Sequence, residues 1–101
     1  MGDIYHVLVT HDFSKVSDEK LDEHNNIYCG ASMAINSAIQ VIGNLLLEVS
    51  ESEGYSGEEA MRDLHLIGSV LRHLPRMAQA LEQNGSSIAF EQEKRKGAKN
   101  D

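Results

Sequence analysis

Five histidines, one cysteine and several neighbouring carboxylates are the residues of this 101-residue sequence whose chemistry reaches beyond packing. A helical metal pair needs ligands three or four positions apart, so that both project from one face. His65 and His73 are eight apart, His6 and His11 flank the N-terminal segment, His24 sits among acids, and no His-Glu-x-x-His or Cys/His cluster occurs. A zinc site would have to be assembled from His6, His11 and His24, whereas His65 and His73 read as solvent-facing. Phosphotransfer is the second chemistry to weigh, because phosphoacceptor domains are also helical hairpins. Asp63-Leu64-His65 offers a histidine beside an acid, but no phosphoacceptor box surrounds it. Cys29 has no Gly-rich turn to receive an oxyanion and reads as a small buried hydrophobe where Gly30 and Ala31 permit close approach. Asp22-Glu23, Glu58-Glu59, Glu91 and Glu93 suit helix ends and solvated faces, and no Gly-rich phosphate loop is present. Read this way, the chain is not an enzyme and calls for no catalytic residue, cofactor or metal.

The elements that carry these side chains are set by composition. Apolar residues make up 41%, aromatics 5%, and tryptophan is absent, so a core must come from Ile, Leu, Val, Ala and Met, as in helix–helix packing. The net charge of −7 opposes direct binding to nucleic acid or anionic lipid. It is unevenly spread: residues 1–61 carry eleven acids against Lys15 and Lys20, while residues 62–101 carry seven bases against five acids. A lone cysteine excludes an internal disulfide framework and fits a reducing compartment. The N-terminus lacks a basic signal-peptide region. Residues 25–47 hold no charge, yet Asn25, Asn26, Ser32, Asn36, Ser37, Gln40 and Asn44 make them too polar for a lipid-facing span. A cytoplasmic protein that does not engage a membrane is expected.

Residues 1–16 read as an extended arm or short strand, with Tyr5, Val7 and Val9 on one side of a two-residue period. From Ser17, a good N-cap followed by Asp18 and Glu19, a hairpin of helices is expected over 17–85. Asn25, Asn26 and Gly30 favour a break around 25–30 over one helix from about 18 to 52. Ile35, Ile39, Ile42, Leu46 and Val49 form an apolar seam, and Ala31, Ala34, Ala38, Val41 and Leu45 lie beside it, wider than one partner helix covers. Gly54 closes the first main helix and Ser56-x-x-Glu59 fits a capping box for the second. That helix repeats Ala60, Leu64, Ile67, Leu71, Leu74, Ala78 and Leu81 in four-three alternation, widened by Val70 and Met77 and kinked by Pro75. Asn84-Gly85 ends it, and 86–101 reads as a polar, disordered tail.

The fold class is therefore all-α, an antiparallel helical hairpin with a kinked second helix and an N-terminal extended arm. Covering both apolar rows asks for a second copy, giving a homodimeric four-helix bundle. Ile35, Ile39, Ile42, Leu46, Val49, Leu64, Ile67, Leu71, Leu74 and Leu81 are its self-association residues. Val41, Leu45 and Leu47 are the candidate partner-binding residues, though which apolar row serves the dimer stays open. In its two-helix layout over roughly residues 31–84, the chain resembles small all-helical bacterial anti-activators of the quorum-sensing kind. No motif residue matches, so no functional residue is carried over. The resemblance implies a helix face that binds and sequesters another protein, such as a transcription factor. Two alternatives are a phage or mobile-element inhibitor, its acids at 18–23 and 48–59 imitating nucleic acid, and a phosphotransfer-like hairpin using His65.

Overall fold

Ser17 opens the first long helix: its hydroxyl accepts from the Lys20 amide at 3.2 Å, with Asp18 and Glu19 in the first turn where the helix dipole favours anions. The computed structural model describes residues 2–100, which form α1 (Ile4–Leu8), α2 (Asp18–Ser50) and α3 (Gly57–Asn100). The described chain is all-helical, and α2 and α3 pack along each other.

Three boundaries differ from the sequence expectation. The break at 25–30 is absent, and α2 is continuous. Each weak helix former there costs at most about 1 kcal/mol, and packing on both sides of the stretch outweighs it. Leu21 and Tyr28 pack with Phe13 and Ile88, and Gly85 of α3 comes so near that a Cβ on it would lie 3.4 Å from Asn25 Oδ1. Nor does α3 stop at Asn84-Gly85; it runs through to Asn100, so residues 86–100 are helix and not a disordered tail, Asp101 lying outside the described residues. Ile88, fully buried against Phe13 and Leu21, anchors that extension. At the other end the chain enters α3 through Gly57 at φ +73°, a left-handed conformation that glycine adopts without penalty. Among the described residues no hydrogen bond joins Ser56 to Glu59, so the expected capping box is not formed.

Pro75 lies inside α3 without ending it. It removes the donor that would serve the Leu71 carbonyl, while the apolar seam stays in phase on either side. The N-terminal segment is an arm but not a strand: Asp3 caps the single-turn α1, and the chain continues without regular structure to Ser17.

The molecule measures 68 × 28 × 15 Å with a radius of gyration of 19.0 Å, where a compact chain of this length would have about 13 Å. Its surface of 7551 Å² exceeds the roughly 5,700 Å² of a typical monomer of this mass. The core sits at one end, which we term the base: the arm, the first half of α2 and the second half of α3. The other end, the tip, is two helices alone.

Candidate interaction surface

Within the tip, Ile35, Ile39, Ile42, Leu46 and Val49 of α2 line up with Ile67, Leu71 and Leu74 of α3, all half-buried, where the two helices meet in one chain. Leu81 is likewise half-buried, in the base, while Leu64 is 55% exposed on a flank. Successive residues turn about 100° around a helix, and this decides what lies beside the seam. Val41 and Leu45, four apart, share one flank of α2. Leu47, two residues beyond Leu45, projects about 160° away on the opposite flank. The structure therefore does not bring the three candidate partner residues together, although each is more than half exposed.

Two faces of the tip result. On the first, Val41 and Leu45 stand beside Leu66 and Val70 of α3, and Ala34 and Ala38 extend the strip. Between the helices runs an open apolar groove of about 370 Å³ lined by Ile42, Leu45, Leu46, Val49, Leu66 and Ile67. On the second, Leu64 lines a smaller groove of about 180 Å³ together with Val49 and Ala60, and Leu47 and Met61 are exposed. Leu66 was missing from the sequence reading because it falls outside the four-three seam; its spacing of four from Val70 was the available signal. Tyr55 closes the groove at the loop: its hydroxyl donates to Asp63 Oδ2. That hydrogen bond and the negative charge of Asp63 push the Tyr55 phenol up to about 12.

The base is built differently. Asn84, fully buried, accepts from the Thr10 amide at 2.7 Å and donates to the Leu8 carbonyl at 3.2 Å, which fixes the arm to α3. Arg95 donates to the carbonyls of Phe13, Ser14 and Val16 and pairs with Asp18 at 2.8 Å and Glu91 at 3.4 Å. Arg76 pairs with Asp3 at 2.7 Å and lies 4.4 Å from the centre of the Tyr5 ring. The Arg76 guanidinium holds the Asp3 carboxyl well below the usual carboxylate range. Asn84 and Arg95 had read as a helix stop and part of a loose tail. Local spacing offers only the Glu91–Arg95 pair of a solvated helix face, because the backbone groups that Asn84 and Arg95 hold lie more than seventy residues away.

The remaining candidate chemistry is dispersed. Among the described residues no group of three His, Cys, Asp or Glu side chains is placed to hold a metal. His65 and His73 are exposed on α3, His24 stacks edge-on to Tyr28, and His6 is bonded to Asp3 in the α1 cap. Cys29 is exposed and not the buried hydrophobe expected, and a Cβ on Gly30 would meet no neighbouring element within 4 Å, so no close approach occurs there. By length and composition α2 could also cross a membrane, and only 6% of its most apolar window is buried. No family model, curated protein or solved structure matches the chain.

Proposed function

We propose that this chain is a non-catalytic protein–protein interaction module. Two hairpins associate as a homodimeric four-helix bundle, and the assembly regulates another protein, such as a transcription factor, by occupying it with an apolar helix face. One observation carries the reading. Among the described residues, eight of the eleven large apolar side chains left exposed lie between Met33 and Met77, a stretch in which no residue is buried. Covering a leucine or isoleucine fully contributes roughly 1.5–3 kcal/mol, so a handful of such residues matches the whole stability of a small domain. Contiguous apolar surface of this kind marks an interaction site. The polar strip of Asn36, Gln40 and Asn44 and the acids flanking the tip favour a protein partner over hydrocarbon.

Photo-crosslinking in the native cell tests this, with benzoyl-phenylalanine placed at Val41 and separately at Leu47. The expected result is a self-adduct together with an adduct to one other protein, the latter lost on reversing the character of the linked face with arginine. Lipid adducts alone, or no adduct from either position, would remove the interaction-module reading.

A further inference from the structure

Resting on the dimer reading above, we infer that a second copy of this chain covers the face formed by Val41, Leu45, Leu66 and Val70. The two tips lie antiparallel, with the loop of each copy against the α1 end of the other. Surface area is the first support. Each chain exposes roughly 1,900 Å² more than a compact monomer of its mass. Two copies thus have about 3,700 Å² to hide, within the roughly 2,000–5,000 Å² of obligate homodimers and above a standard interface.

The second support is the arm. It covers this same flank of α3 in the base, through Asn84 and Ile88, and ends where Asp3 meets Arg76. Beyond that point the flank is bare as far as the loop at 51–56. The bare strip, Gly57 to Pro75, is about 27 Å long at 1.5 Å per residue. It is bounded by an arm at one end and a turn at the other, so another tip of the same length fits it when reversed.

Charge selects the direction. Glu48, Glu51, Glu53, Glu58 and Glu59 crowd the loop end, all exposed. Hairpins laid with their loops together would gather ten carboxylates at one end, whereas reversal brings each acidic loop to the level of the partner's Arg72. Like charges side by side are costly, and opposite charges fix register. In the reversed pair α2 lies on α2 and α3 on α3, and Leu45 and Leu66, half-way along the strip, come to the two-fold axis.

Cysteine cross-linking reads this geometry, because a disulfide forms only when the Cα atoms approach within about 7 Å. In a Cys29→Ser background, Leu45→Cys alone should give a covalent dimer on mild oxidation, and Leu47→Cys should stay unlinked. Linking only when Leu45→Cys is mixed with Leu66→Cys would mean that α2 faces α3 with the loops together. That overturns the antiparallel docking but leaves the dimer standing. Light scattering on the unmodified chain separates the two claims: a monomer at every concentration removes dimer and docking alike. Leu45→Arg should weaken self-association on the order of 30-fold or more, with helicity by circular dichroism unchanged because the base core is untouched. A dimer of unchanged strength overturns the face assignment. A monomer that pellets with phosphatidylcholine–phosphatidylglycerol vesicles would give the face to lipid and overturn the inference.

Discussion

The base and the tip are made of the same two helices, yet one has a core and the other does not. In the base, Phe13, Leu21, Ala78, Ala80 and Ile88 are buried, as are the polar Ser32, Asn84 and Glu91. In the tip the α2–α3 seam is only half-buried along its length. The difference is a third layer. Two helices in contact bury one stripe each and leave both flanks wet, and only where the arm is laid over the flank do side chains lose all access to water. The arm in turn is held by polar groups: Asn84 and Arg95 answer backbone groups of Leu8, Thr10, Phe13, Ser14 and Val16 that would otherwise face a packed helix. The tip has the apolar surface for a third layer without the layer.

Substitutions in the two regions should separate them sharply. Leu21→Ala removes a fully buried side chain and should cost about 2–5 kcal/mol in urea unfolding followed by circular dichroism, a loss independent of protein concentration. Leu66→Ala, 57% exposed, should cost about 0.5 kcal/mol or less in dilute solution, and more as concentration rises and self-association adds to stability. Equal losses at both sites would erase the distinction. Next in size is Asn84→Ala, which strands the Thr10 amide and the Leu8 carbonyl and should cost about 1–3 kcal/mol. Amide exchange at Thr10 would become fast while the α2–α3 seam in the tip stays protected. Unchanged protection at Thr10 would show that the arm is held by its apolar side chains alone.

The seam was legible because four-three spacing is a local property: Ile35 to Val49 and Ile67 to Leu74 needed no knowledge of partners. The rows beside it were legible as apolar but not as faces, because grouping Leu47 with Leu45 ignored the turn of about 200° between residues two apart. What the sequence hid was long-range. The terminus from 86 onward looked like a solvated tail because its charges dominate local composition. Ile88 and Arg95 are ordered by Phe13, Leu21 and the carbonyls of 13–16, and no window around residue 90 contains them. The continuity of α2 through Gly30 was hidden for the same reason, since propensity there argues for a break and packing by Leu21 and Tyr28 argues against it.

Two smaller tests probe the loop that closes the tip. Gly57 stands in open space with φ +73°, so Gly57→Ala introduces only backbone strain, about 1–2 kcal/mol. That loss should appear in urea unfolding and leave the arm's amide protection intact. A larger loss would mean the loop supports more of the fold than the bare tip suggests.

The smallest effect is the ionisation of Tyr55. Its hydroxyl donates to Asp63, so the proton is held more tightly in the folded chain, and the phenol rises from an ordinary value near 10 to about 12. A raised folded value means the contribution is whole below the unfolded pKa and fades as pH climbs between about 10 and about 12, where the unfolded phenol is charged and the folded one is not. Absorbance at 295 nm should therefore show a component titrating at about 12, and Tyr55→Phe should delete that component. If Tyr55→Phe removes no such component, the loop is not docked on α3, and the groove between Leu45 and Leu66 lacks the end that Tyr55 gives it.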